Sequence, residues 1–272
     1  MSNLTLRILS ALVLIPLVLA LVFLSSLPFF IIGITMISAL AGFEFGSFAL
    51  SKKFKLGAAV TGLLSALCTA SIAFSTIYPN VLIYTLPASV VVLFFAFMFI
   101  DLPADEAVCA LSFSFFGVFY VGVLTAFIGL IPTAYTDNSL GRYAVLLLLI
   151  GTFLGDTGAY AFGRMFGKHK LAPKLSPKKT WEGAMGGFIS TLASVSAVRF
   201  LLLPGFSILQ TLFLSFALSF FCQTGDLAES FIKRGMGVKD SGKLIPGHGG
   251  ILDRIDALLF GAPVVYLFSL FY

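Results

Sequence analysis

Charge is scarce in this chain. Asp, Glu, Lys and Arg make up 11% of its 272 residues, against roughly 25% in soluble domains. With 59% of residues hydrophobic, it has too little polar surface to cover a core in water, which excludes a soluble globular domain. Two runs, Ile8–Phe43 and Leu56–Ile100, contain no charged residue; each is long enough for two membrane spans of about 20 residues. Cysteine is sparse as well. Cys68, Cys109 and Cys222 lack metal-site spacing and cannot all pair, so buried free thiols are expected. The apolar runs do not alternate with a period of two, which excludes a membrane barrel. Helix is then the form that satisfies its own backbone in lipid. A convincing small-residue cleavage site is missing after the first apolar run, so that run is expected to remain as a span. No internal repeat is visible.

What is present reads as an all-α, polytopic membrane bundle of about nine spans: 8–24, 28–50, 56–77, 80–100, 107–131, 143–165, 181–203, 206–229 and 251–271. With the N-terminus in the cytoplasm, every Lys and Arg except Arg142 and Arg199 falls on the cytoplasmic side: Arg7, Lys52, Lys53, Lys55, Arg164, Lys168, Lys170, Lys174, Lys178, Lys179, Lys233, Arg234, Lys239, Lys243 and Arg254. The positive-inside rule thus predicts a cytoplasmic N-terminus and an external C-terminus. An error of one span would put the later basic loops outside. Residues 1–150 are mostly bland spans and are assigned to a lipid-facing scaffold; residues 151–272 hold nearly all the remaining chemistry. Glu44 is the exception in the first part, about two turns from the cytoplasmic end of its span. It is either a carboxyl protonated or bonded between helices, or a wall residue of a polar cavity.

The densest polar block runs from Gly225 to Asp256, between uncharged flanks. Ionised groups at a membrane boundary are expensive, so such clustering demands a polar ligand or partner. Asp226, Glu229, Ser230 and Lys233 follow one another at i, i+3, i+4 and i+7, one face of a helix, with Arg234 adjacent. The plain alternative is a helix end at the interface, with a Glu229–Lys233 pair and snorkelling side chains. Further on, Asp253 and Asp256 lie one helical turn apart, just before an uncharged run from Ala257 to Tyr272. Two such carboxylates repel unless a proton or cation intervenes, and their oxygens suit a hard ion such as Mg²⁺. Pro246-Gly247-His248-Gly249-Gly250 supplies a flexible turn into this helix, whose free N–H groups favour an anion. His248 is a better phosphate donor than metal ligand. Gly237-Val-Lys239-Asp240-Ser-Gly242-Lys243 has the glycine–lysine spacing of a P-loop. Leu244 stands where a metal-holding Ser or Thr should be, and no strand precedes it, so a P-loop fold is rejected.

A third constellation covers residues 155–183. Asp156 and Tyr160 are placed at i, i+4 within a span, with Arg164 one turn on. A basic loop follows, Gly167 to Lys179, and leads into Thr180-Trp181-Glu182-Gly183. A basic loop beside a span commonly serves anionic-lipid attraction. Here Asp156 and Glu182 flank it, and Ser176 and Thr180 add hydroxyl donors.

The run Ser230-x-x-Lys233-Arg234-x4-Lys239-Asp240-x5-Pro246-Gly-His-Gly-Gly250-x-x-Asp253-Arg254-x-Asp256 resembles the signature of the CDP-diacylglycerol synthase (phosphatidate cytidylyltransferase) family. Asp156-Thr-Gly-Ala-Tyr160, Gly163-Arg164 and Ser176-Pro-Lys-Lys-Thr-x-Glu182-Gly183 resemble its other blocks. The resemblance covers most of 155–256, and before residue 150 it extends only to hydrophobic character. It implies a nucleotidyltransferase of phospholipid biosynthesis that condenses CTP with phosphatidate to give CDP-diacylglycerol and pyrophosphate, with a divalent metal. It further implies a homodimer in the inner membrane whose site opens to the cytoplasm; no nucleic acid is expected as a partner.

On that resemblance, Asp226, Asp253 and Asp256 ligate or orient Mg²⁺, with a second cation allowed. Lys233, Arg234, Lys239, Lys243 and Arg254 bind the triphosphate or the lipid phosphate. Gly249 and Gly250 admit phosphate to the helix N-terminus beside His248. Ser176, Lys178, Lys179 and Thr180 form a second phosphate-binding wall, and Asp156, Glu182 and Glu229 orient cations. Two rivals stand beside this reading. A CTP-dependent polyprenol or phytol kinase would cleave at the γ-phosphate. An ion-coupled transporter would favour repeats and sites near mid-membrane, whereas these charges gather toward one face.

Overall fold

A computed structural model describes residues 3–49, 55–99 and 103–271. Lys52 and Lys53, counted above in orienting the chain, and Tyr272 lie outside them. Among the described residues, eight helices are long and apolar enough to cross a membrane. The segment expected as the ninth span forms the 18-residue helix Leu252–Ser269, which is not among these eight and carries Asp253, Arg254 and Asp256 in its first turns. The chain is an integral membrane protein built from helices, as its composition requires. It packs as two compact units, Met1–Leu130 with Met236–Ile255, and Ile131–Gly235 with Asp256–Tyr272.

The first unit begins with α1 (Asn3–Phe23), α2 (Leu27–Ala49), α3 (Lys55–Phe74), α4 (Val81–Met98) and α5 (Ala104–Gly117). A π-helical segment, Val118–Val123, joins α5 to α6 (Leu124–Leu130). Helices α2 and α3 pack through small residues, which let backbones close in lipid, where packing rather than the hydrophobic effect holds helices together. A Cβ on Gly46 would come within 2.7 Å of the Ala58 Cα, and one on Gly62 within 2.7 Å of the Ala39 carbonyl. The π turn shifts the backbone pairing of its carbonyls; Thr69 Oγ1 donates to the Gly122 carbonyl at 2.8 Å. Leu64, Cys68, Leu93, Phe97, Ala110 and Val118 form a core cluster beside it. Cys68 and Cys222 are buried free thiols as expected, but Cys109 is exposed on α5. A thiol behaves as a small apolar group, so an outward position on an apolar helix carries no burial requirement.

The second unit opens with a 3₁₀ turn, Ile131–Ala134, and α7 (Asn138–Phe166). The Asp137 carboxylate caps α7 by accepting the Ser139 N–H at 2.8 Å. The segment read from sequence as a basic loop is a two-stranded antiparallel hairpin, β1 (Lys170–Ala172) with β2 (Ser176–Thr180). Then come α8 (Trp181–Leu202) and α9 (Ile208–Gly235). Helix α9 runs past the expected end at residue 229, so Lys233 and Arg234 belong to the helix itself. Helix α10 (Leu252–Ser269) starts in the first unit and continues in the second.

Candidate active site

In the second unit, the close approach of α9 and α10 depends on Gly225, where a Cβ would lie 2.7 Å from the Asp256 carbonyl and 3.1 Å from the Phe260 Cβ. That contact sets the acids of α9 against α10. Glu229 and Asp226 both lie near enough to Asp256 for their charges to be felt there. Two cations enter the same cluster. Lys179, at the end of β2, places Nζ 2.7 Å from Asp226 Oδ2. Lys233 pairs with Glu229 one turn away on α9. Glu229 is 1% exposed and Lys233 9%, so this pair is buried rather than snorkelling to an interface. Three carboxylates, Asp226, Glu229 and Asp256, thus face two lysines.

The hairpin is fixed to the start of α8. Glu182 accepts the Lys168 N–H at 3.1 Å and pairs with His169 Nδ1 at 2.6 Å. Thr180 is buried and caps α8, its Oγ1 accepting the Gly183 N–H at 3.1 Å. The expected phosphate wall is therefore divided. Lys179 turns toward Asp226, Thr180 serves the helix, Lys178 is exposed and Ser176 half-buried. Arg164 Nη1 donates to the Tyr160 hydroxyl at 3.1 Å. Asp156 is exposed on α7, and Arg234 is exposed at the end of α9.

In the first unit, the turn before α10 is held from several sides. Asp253 accepts the Gly250 N–H at 2.8 Å, and its two oxygens lie 3.1 and 3.0 Å from the Ser241 nitrogen. The Leu252 N–H goes to Glu44 Oε2 at 2.9 Å. These N–H groups, expected to meet a phosphate, are engaged by the protein's own carboxylates. Gly247 and Gly249 have φ of +77° and +86°, a conformation that L side chains with a Cβ rarely adopt. His248 Nδ1 shares a hydrogen bond with Ser10 Oγ at 2.7 Å, and Arg7 Nε donates to the Gly247 carbonyl at 2.9 Å. Burial, together with the nearby Arg254 and Arg7 charges, lowers the His248 pKa below its ordinary 6.5. Lys239, Lys243 and Arg254 are exposed.

Among the described residues, no three His, Cys, Asp or Glu side chains form a ready metal cage. The donor chemistry nonetheless fits Mg²⁺, which usually takes one or two carboxylates and completes its shell with substrate phosphates and water. Asp226 and Asp256 are such carboxylates, brought to one cluster by α9 and α10. A family model described as "Cytidylyltransferase family" matches residues 5–272. The chain belongs to the cytidylyltransferase family.

Three curated relatives carry the name phosphatidate cytidylyltransferase. Those of Staphylococcus haemolyticus, Staphylococcus saprophyticus and Staphylococcus aureus strain COL are 43%, 40% and 42% identical to this family member over 161 residues. Each match covers 59% of this chain and 58% of the relative, so under two thirds of the relatives' length is spanned.

Sequence reasoning about this cytidylyltransferase-family chain passed over Arg7, Ser10 and Ser241, and left Glu44 between two readings. Arg7 and Ser10 gave no signal, because their partners stand some 240 positions away, as in Arg7–Gly247. Glu44 did give one: it is the only acid before Asp101.

Proposed function

We propose that this chain transfers a cytidylyl group from CTP to phosphatidate, giving CDP-diacylglycerol and pyrophosphate. The observation that carries the reading is the cluster of Asp226, Glu229 and Asp256 with Lys179 and Lys233 in a member of the cytidylyltransferase family. The phosphatidate phosphomonoester, with a second pKa of about 6 by analogy with other phosphomonoesters, is largely a dianion at neutral pH and needs no strong base. One of its oxygens bonds to the α-phosphorus of CTP. The bond from that phosphorus to the oxygen bridging it to the β-phosphate breaks, and pyrophosphate leaves with the electron pair. The obstacle is bringing two polyanions together, so charge compensation and alignment supply the catalysis.

Asp226 and Asp256 are the residues assigned to hold Mg²⁺. Bound there, the ion would neutralise charge on the triphosphate. Lys179 holds Asp226 and Lys233 holds Glu229, and both lysines are assigned to offer positive charge to phosphate oxygens. Lys239, Lys243, Arg234 and Arg254 are assigned to phosphate binding by the sequence signature. Asp253 is assigned to hold the turn before α10. The chemistry is assigned to the cytoplasmic face of an inner membrane because the basic residues gather on one predicted side, and the active form is proposed to be a homodimer.

The test is incubation of the purified protein with phosphatidate, Mg²⁺ and CTP labelled at either the α- or the γ-phosphate. Label from the α-position should enter the lipid, and label from the γ-position should leave as pyrophosphate. Transfer of γ-label to a lipid would replace this reading with a lipid kinase.

A further inference from the structure

We infer that Glu44 is a positioning residue that fixes the loop from Lys239 to Gly250 against the first turn of α10; its consequence for CTP rests on the function proposed above. Glu44 lies near the C-terminal end of α2, 3% exposed and turned into this loop. Its Oε2 accepts the Ser241 hydroxyl at 3.1 Å and the Leu252 N–H at 2.9 Å. Oε1 is buried with no hydrogen-bond partner. Gly242 and Gly250 wrap the carboxylate so tightly that a Cβ on either would collide with it.

Ser241 is the hub. Its hydroxyl serves Glu44 and lies 3.3 Å from the Asp253 nitrogen, while its own N–H points to the Asp253 carboxylate. Glu44 therefore acts on Asp253 and on the loop's course through Ser241, 197 positions along the chain. The loop it fixes carries the exposed cations Lys239 and Lys243. Removing the anchor leaves two N–H or O–H donors buried without an acceptor, which costs more than the bonds themselves. The loop then escapes toward water, and phosphate binding by its lysines loses its preorganisation.

The experiment compares Glu44→Ala, Glu44→Gln, Ser241→Ala and the Glu44→Ala/Ser241→Ala double variant in the full-length protein. Two readings are taken: the rate of tryptic cleavage after Lys243 without substrates, and the KM for CTP and for phosphatidate with kcat. Cleavage should accelerate at least about tenfold in Glu44→Ala, the change expected for losing a hydrogen bond to a charged group. The KM for CTP should rise by a similar factor while the KM for phosphatidate moves less. Glu44→Gln, which keeps an acceptor oxygen, should recover most of both effects. The double variant should be no worse than Glu44→Ala, because residues in one network do not add. Wild-type cleavage and CTP KM in Glu44→Ala, or a double variant equal to the product of the singles, overturns the inference. Should Glu44→Ala not fold, Ser241→Ala, which removes the hydroxyl between Glu44 and Asp253, carries the same two readings against Glu44→Gln as the near-wild-type reference. A wild-type protein without cytidylyl transfer would sink the proposed function and leave the cleavage rates to decide the role of Glu44.

Discussion

Asp253 and Asp256 stand on successive turns of α10 and keep different company. Asp253 spends its oxygens on the N–H groups of Ser241 and Gly250. Asp256 faces Glu229 and the charge of Asp226. The two Asn variants should therefore part. Asp256→Asn keeps its shape and loses the charge proposed to hold Mg²⁺; on that proposal turnover should fall at least about 10²-fold, the scale of losing a major electrostatic stabiliser, with little change in melting temperature. Asp253→Asn turns an amide donor toward backbone donors, so its melting temperature should drop as well. Equal melting temperatures and near-normal turnover in both would eliminate the assignments. His248 gives a pH prediction. Its folded pKa lies below the ordinary 6.5, so the fold favours the neutral ring. Above about 6.5 both folded and unfolded chains are neutral there and the contribution is complete. As pH falls from 6.5 toward the folded pKa, the unfolded chain takes up a proton that the fold resists, and stability declines. Melting scans across this range should show the decline, and His248→Gln should flatten it.

At the scale of elements, the cluster depends on how closely helices can approach. Gly225 touches α10 at the Asp256 carbonyl, so an added methyl must push α9 away. Gly225→Ala should cost about 1–3 kcal/mol, the usual penalty for overpacking. It should also lower turnover by loosening Asp226 and Glu229 from Asp256. Gly235, at the end of the same helix, has open space where its Cβ would be, so Gly235→Ala should leave turnover and melting unchanged. A matching response from the two variants would show that the α9–α10 contact does not govern the site. The hairpin from Lys170 to Thr180 serves the same end by a different route: its strand pairing delivers Lys179 to Asp226 at 2.7 Å, which a free basic loop could not do with fixed geometry.

For the whole molecule, the asymmetry of basic residues makes a prediction about sidedness. In a background with Cys68, Cys109 and Cys222 replaced, a cysteine at Lys174 should resist an impermeant thiol reagent in intact cells and react after permeabilisation. A cysteine at Thr136 should react from outside. Strong external labelling at Lys174→Cys would invert the topology of the later half.

Composition and runs of uncharged residues determined the membrane setting, the helical class and the nine segments, because hydrocarbon imposes length and backbone satisfaction on any sequence that crosses it. The i, i+4 spacing of Glu229 and Lys233 likewise foretold their pairing, since helical neighbours are local. The pairing of Lys179 with Asp226, the clasp of Arg7 and Ser10 on the Gly247–His248 turn, and the reach of Glu44 to Ser241 and Leu252 were decided by tertiary structure alone. Each joins residues far apart in the chain, and a single sequence carries no record of which distant side chains its helices will bring within hydrogen-bonding distance. Burial of Glu44 could be suspected from its isolation among apolar residues; its partners could not.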